Sequence, residues 1–436
     1  MSAKTVFDEF ADFIQEDAMS KRPYIHRVTD EVLARYLSIF GAVEVYGTKW
    51  SGKTRCAQRV CASETAVTGA NSELYQTEPG LALVGERPHL VDEWQDAPAI
   101  WDAARRLVDD EDGEPGLVVL TGSSTPGHGT VSHDGAGRIA RIRMRPMSFA
   151  ESGESSGDVS LAGMFDGKFE PAVSKSSLGD VVGAICRGGW PLLVSRGIID
   201  GLEYVRQYLD ATFDPDIMRA KRGKDARVAR DVALSLARNL AQAPKISTVA
   251  QDIGRADSTA SEYLGLLRDL YIVDAVGGWD APVRSKSRLR IKPKYYFCDP
   301  SIPVTLLGMT ANRVLDDSQT FGLLFETLVM RDLAVYMAAN PAAAAEPIHY
   351  YRDADGLEVD FVLELADGRW AGIEVKVGEL KADEGAASLL RLRSKVAKNP
   401  AARNPDPSFL AVVTSCGVAH CRPDGVYVIP IGVLGA

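Results

Sequence analysis

Residues 42–54, "AVEVYGTKWSGKT", decide the fold. An apolar, β-branched run breaks into the spacing G-x-x-x-x-G-K-[ST] from Gly47 to Thr54, a strand running straight into a glycine-bounded loop. Glycines let a backbone close around phosphate oxygens, so that main-chain N–H groups and the start of the next helix face an anion. Gly47, Thr48, Lys49, Trp50, Ser51, Gly52, Lys53, Thr54 and Arg55 are therefore the expected ATP-binding stretch. Lys53 is expected to reach the β- and γ-phosphates, and Thr54 to place its hydroxyl on Mg2+.

Working outward, two further pieces support this reading over a plain glycine-rich turn. In "HLVDEWQDAP" an apolar run ends in Asp92, placed to organise Mg2+, and Glu93, placed to activate water. In "LVVLTGSS" a second buried run ends in hydroxyls, and Ser123 is the expected polar sensor of the γ-phosphate. The short apolar runs alternate with helical stretches, the pattern of a parallel sheet covered on both faces. Phosphoryl transfer also needs positive charge, commonly an arginine delivered by a neighbouring copy, which admits a homo-oligomer. "GAGRIARIRMRPMSFAE" offers Arg138, just after a glycine loop, as the finger; Arg141, Arg143 and Arg145 share one face of a β-like stretch.

The whole chain is consistent with a multidomain globular protein. Its 436 residues predict two to four domains. A net charge of −10 excludes a protein that coats nucleic acid with its whole surface and leaves room for a local basic patch. Six cysteines without a CxxC pair read as reduced thiols. The charged N-terminus and the absence of a long apolar run predict a cytoplasmic protein without membrane contact. The expected segments are an N-terminal helical piece (1–40), the P-loop core (41–150), lid or linker helices (151–225), a winged-helix-like segment with a basic strand (226–294) and a C-terminal domain (295–436). "ESGESSGD" (151–158) reads as a boundary or the entry to a lid, and "AANPAAAAEP" as a surface loop. From "RVARDVALSLARNLAQ" through "STASEYLGLLRDLYIV", the order helix, short helix, turn, longer helix, strand is that of a winged helix-turn-helix.

Together "GTKWSGKT", "HLVDEWQDAPAIWD", "LTGSSTP", "GAGRIARIRMRPMSFAESGE" and "GGWP" resemble a family of prokaryotic AAA-type ATPases. Members carry a C-terminal domain of unknown function with a restriction-endonuclease-like appearance. The likeness runs from about residue 25 to the end and implies an ATPase core, a winged-helix segment and a nuclease-like tail. Arg55 departs from the pattern, since a small hydroxyl residue commonly follows the Walker threonine.

The tail contains "GLEVDFVLELADGRWAGIEVK", residues 356–376. Asp360 on one strand and Glu374 and Lys376 on the next match the layout of PD-(D/E)XK nucleases, with Glu326 on an upstream helix. Carboxylate oxygens suit Mg2+ or Mn2+, which would activate water, while Lys376 adds charge beside it. The alternative is an ion pair that fixes an edge hairpin. "RSKSRLRIKPK" places Arg284, Lys286, Arg288, Arg290, Lys292 and Lys294 at every second position. On one extended strand all six would face a DNA or RNA backbone, or form a charged edge that resists aggregation. The expected fold is thus α/β: a P-loop NTPase core with parallel sheet, helical lid, winged helix-turn-helix and a restriction-endonuclease-like α/β domain. The expected function is a Mg2+-dependent ATPase whose nucleotide state controls a nucleic-acid-interacting tail, with a non-catalytic nucleotide-gated adaptor for a protein partner as the alternative.

Overall fold

The structure is a computed structural model that describes residues 24–123, 135–198, 200–281, 288 and 291–436. It divides into two compact units, Met1–Arg145 and Pro146–Ala436.

The first unit is built on five strands: β1 (Ala42–Tyr46), β2 (Ser63–Ala66), β3 (His89–Asp92), β4 (Val118–Gly122) and β5 (Ile139–Arg143). They form one sheet in the order β2-β3-β4-β1-β5, with every pairing parallel. All carboxyl ends therefore lie along one edge, and β1 is inserted between β4 and β5 instead of beside β2. Such a change of strand order opens a crevice at the carboxyl edge, where open parallel sheets bind ligands. The helix Ala99–Asp110 turns Ile100, Trp101, Ala104 and Val108 into the core at helical spacing, where they join Trp94, Val118 and Leu120. Glu44, in the middle of β1, is the exception to that apolar pattern. It stands opposite Arg141 in register, takes the Arg141 Nε at 2.5 Å and accepts from Trp94 Nε1 at 3.1 Å. Burial pushes its carboxyl up and the guanidinium pulls it back. Arg141 thus pairs with the core strand as well as meeting solvent.

The second unit contains β6 (Val159–Ser160), β7 (Ala172–Val173), β8 (Val273–Val276), β9 (Lys294–Phe297), β10 (Ala343–Arg352), β11 (Glu358–Leu365), β12 (Trp370–Lys376), β13 (Phe409–Thr414), β14 (Val418–Cys421), β15 (Tyr427–Pro430) and β16 (Leu434–Gly435). Seven of these form a mixed sheet in the order β10-β11-β12-β13-β15-β14-β7. The helix Ala382–Ala397 packs Leu389, Leu392 and Val396 against Val362, Leu410 and Val412 of that sheet. Three helices, Ala226–Arg238, Ile246–Asp252 and Asp257–Asp269, precede the two-stranded antiparallel ribbon β8–β9.

Several expectations change here. "ESGESSGD" is not a boundary: β6 pairs with β16, and Ser155 Oγ donates to Leu434 O at 2.7 Å, so its small hydroxyls satisfy backbone carbonyls. The division falls earlier, at 145/146, and the 151–225 segment contributes β7 to the edge of the large sheet. The second half of "AANPAAAAEP" is the start of edge strand β10, paired with β11. The basic run is not one strand: β9 begins only at Lys294, while Arg284, Lys286 and Arg290 lie outside the described residues.

A buried polar network joins distant parts of this unit. Arg331, on the helix Ser318–Ala339, reaches Asp299 at 3.0 Å and Asp332 at 2.8 Å. Asp332 accepts Phe149 N–H at 2.9 Å, and Asp299 accepts Gly189 N–H at 2.8 Å. A Cβ on Gly189 would stand 2.1 Å from Met147 O, so only glycine allows the two segments to approach. "RPMSFAE" and "GGWP", far apart in sequence, meet at this network.

Candidate nucleotide site and C-terminal carboxylate cluster

Three loops at the carboxyl edge of the parallel sheet assemble the first site. After β1 the chain turns through Gly47 (φ 145°) and Gly52 (φ 97°) into the helix Lys53–Gln58. Neither position suits a side chain, and at Gly47 a Cβ would collide with Met144 O at 2.1 Å. Lys53 is 5% exposed and its Nζ donates to Thr48 O at 2.9 Å. Among the described residues no carboxylate lies within ion-pair distance of it. Burial lowers its pKa to about 8 against the opposing pull of Glu93 and Asp92. A buried ammonium with only a neutral acceptor is the complement of an anionic oxygen.

Thr54 Oγ1 donates to Asp92 Oδ1 at 2.8 Å, and Thr121 on β4 donates to the same oxygen. This places a hydroxyl and a carboxylate side by side, the hard oxygen donors that Mg2+ takes. Glu93 sits in a left-handed backbone conformation (φ 57°) directly after β3. Its Oε2 accepts from Ser123 Oγ at 3.0 Å and from the Gln95 amide, whose Oε1 is buried without a hydrogen-bond partner among the described residues. Of the expected site residues, Thr54 bonds Asp92 and Ser123 bonds Glu93, while Lys53 bonds Thr48 O within its own loop. Ser51 Oγ closes the loop on Thr48 O at 2.9 Å, while Lys49 and Trp50 are exposed and Arg55 lies over the Tyr24 ring.

Arg138 is 46% exposed, and its Nε is held by Asp109 at 2.8 Å. The guanidinium keeps Asp109 below the usual carboxylate range. Three contributors escaped the sequence reading. Arg27, 2% exposed, donates to Ser51 O at 2.7 Å and Arg145 O at 2.8 Å, bracing the loop from behind. Thr121 and Gln95 were in plain view beside the motif, but no spacing rule marks them.

The second constellation lies in the C-terminal unit. Glu326 comes from the helix Ser318–Ala339, Glu358 and Asp360 from β11, and Glu374 and Lys376 from β12. Lys376 Nζ lies 2.5 Å from Glu374 Oε2 and 3.9 Å from Asp360 Oδ2, which also accepts Val375 N–H at 2.8 Å. Into this group β9 inserts Lys294, whose Nζ stands 2.7 Å from Glu358, 3.4 Å from Glu326 and 3.9 Å from Asp360. Tyr296 OH donates to Glu326 at 2.6 Å. Burial, then the neighbouring Asp360, raises the carboxyls of both Glu326 and Glu374. Burial opposes the charge of Lys294, but Glu326, Asp360 and Glu358 outweigh it and hold the ammonium more firmly than usual.

This corrects two expectations. Lys294 does not face outward for a nucleic acid, because the carboxylates draw it into the interior. Arg288 likewise makes a bidentate pair with Glu364 at 2.9 and 3.1 Å, leaving Lys292 as the exposed cation among the described members of the run. Nor do Glu326, Asp360 and Glu374 fit a metal as expected. Among the described residues no three His, Cys, Asp or Glu side chains are placed to hold an ion, and the Lys294 and Lys376 ammonium groups stand among these carboxylates.

The first site and its sheet define an AAA-type P-loop domain, and residues 40–153 match the model of an AAA domain. Two domains of unknown function match farther on, DUF8612 over residues 179–313 and DUF4143 over residues 321–434. Uncharacterized proteins of Mycobacterium bovis and Mycobacterium tuberculosis are each 26% identical over 351 residues, covering 79% of this chain and 72% of theirs. Among solved structures, a Walker-type ATPase of Pyrococcus abyssi is 12% identical, with a TM-score of 0.41 over 66% of this chain and 99% of that one. A Thermotoga maritima RuvB is 16% identical, with a TM-score of 0.24 over 63% of this chain and 89% of that one. No helix among the described residues is long and apolar enough to cross a membrane.

Proposed function

We propose that this chain binds ATP with Mg2+ and hydrolyses it, and that the nucleotide state controls a nuclease-like C-terminal unit that meets nucleic acid. The observation that supports ATP binding is Lys53: a buried ammonium whose described acceptor is a single carbonyl, beside a hydroxyl–carboxylate pair. In this reading Lys53 binds the β- and γ-phosphates, Thr54 and Asp92 hold Mg2+, and Ser123 orients the γ-phosphate. Mg2+ would neutralise charge on the phosphates. Glu93 takes the proton of the attacking water, and Arg138 supplies positive charge to a neighbouring copy.

Calorimetry with ATP and Mg2+ tests the reading. Wild type is expected to bind, and Lys53→Ala to lose roughly 10- to 100-fold in affinity, since a charged hydrogen bond contributes about 1.5–3 kcal/mol. No heat from folded wild type removes the proposal.

The same lysine sets a pH dependence. With its folded pKa lowered to about 8, Lys53 is protonated below that value and neutral above it. Triphosphate favours the charged form, so ATP affinity should fall by up to about tenfold per pH unit above pH 8, with proton uptake on binding. In the absence of nucleotide the sign reverses for folding: the unfolded chain binds more protons between about pH 8 and 10.4, so stability rises with pH there. An ATP affinity flat from pH 7 to 9.5 would separate Lys53 from the phosphate.

A second reading for the C-terminal unit is favoured by the Lys294 ammonium among the carboxylates. There the unit is a degenerate nuclease-like domain that docks a protein partner under nucleotide control. DNA-stimulated ATP turnover together with metal-dependent nicking lost in Lys376→Ala supports the first reading. ATP binding with neither effect supports the second.

A further inference from the structure

The carboxylate cluster has an internal cation. Lys294 is 4% exposed and lies within 4 Å of Glu326, Glu358 and Asp360, three acids from two different elements. Further donors meet the same carboxylates. Tyr296, two residues farther along β9, donates to Glu326, while the Val375 N–H binds Asp360 and Lys376 binds Glu374. A hard divalent ion needs about six oxygen ligands at short range. Here an ammonium stands in their midst, and like charge at that separation is strongly unfavourable in a buried site.

The origin of the lysine adds a second fact. Lys294 and Tyr296 belong to the stretch 179–313, which matches one domain of unknown function. Glu326, Glu358, Asp360 and Glu374 belong to the stretch 321–434, which matches the other. The β8–β9 ribbon follows the helix Asp257–Asp269, so the three-helix segment carries the cation to the acids.

We propose that Lys294 occupies the cation position of the Glu326–Asp360–Glu374 cluster and excludes divalent metal from it, and that loss of the lysine charge turns the cluster into a Mn2+ or Mg2+ site. The ribbon is then a plug, and metal binding reports its withdrawal. The inference deepens the nuclease-like reading of the C-terminal unit and is independent of ATP binding, so failure of either leaves the other standing.

The test is Mn2+ titration of the full chain without nucleotide, read by electron paramagnetic resonance, with Asp360→Asn marking the cluster. Wild type is expected to show no Mn2+ site sensitive to Asp360→Asn. Lys294→Met is expected to gain one, lost again when Asp360→Asn is added, while Lys294→Arg keeps the charge and gains none. Lys294→Gln serves if Lys294→Met does not fold. An Asp360→Asn-sensitive Mn2+ site in wild type overturns the proposal, as does a folded neutral variant that gains no site. Should neither neutral variant fold, the wild-type titration alone still decides for or against exclusion.

Discussion

Glu93→Gln is expected to keep ATP and Mg2+ binding and to lower turnover by about 10²- to 10⁴-fold, the usual worth of a positioned general base. Glutamine preserves the shape of the side chain and offers a carbonyl oxygen to Ser123, which donates to Glu93 at 3.0 Å. It cannot take a proton from water. The neighbouring Asp92 keeps its bonds from Thr54 and Thr121, so the place for Mg2+ is undisturbed. Binding and turnover therefore separate in this variant, whereas Lys53→Ala damages binding first. Calorimetry paired with phosphate release measures both. Turnover within a few-fold of wild type would take the base away from Glu93. Among the described residues the bonds from Gln95 and Ser123 both fall on Glu93 Oε2, so they fix the carboxylate while its Oε1 is the oxygen offered to water.

The candidate nucleotide site could be placed at the carboxyl edge of the sheet from sequence because its parts are local. A β-branched run followed by glycines at fixed spacing has few ways to fold, and an acid pair or hydroxyl at the end of a buried run lands on the carboxyl edge whatever the strand order. What spacing could not supply is partners. Arg27 lies 24 residues before the carbonyl it braces. Lys294 was read as one rung of an alternating basic strand, yet alternation predicts a common face only if the strand is continuous. Here β9 starts at Lys294, and half-buried acids 32 and 66 residues downstream pair with it. The same limit applies to the domain boundary: serines and glycines at 151–158 look like linker until β16 supplies the Leu434 carbonyl that Ser155 binds.

Arg331 illustrates that limit with the largest consequence for stability. Replacing it with methionine should destabilise the C-terminal unit by about 3–5 kcal/mol, because two buried aspartates lose the cation between them. The guanidinium is 3% exposed and burial alone would weaken its charge, but Asp332 and Asp299 hold it firmly protonated. Each aspartate also fixes a backbone N–H, Phe149 for Asp332 and Gly189 for Asp299. The loss therefore reaches the segment entering the unit and the glycine pair before Trp190. Cys186 and Cys298 are buried thiols, the first three residues before Gly189 and the second beside Asp299, and Cys56 is a buried thiol of the first unit. Maleimide labelling should accelerate by roughly 10²-fold or more at Cys186 and Cys298 and change little at Cys56. Adding Asp332→Asn to Arg331→Met should recover part of the loss, since it removes one stranded charge. A penalty below about 1 kcal/mol, or equal acceleration at all three thiols, would mean that the network is not what joins "RPMSFAE" to "GGWP".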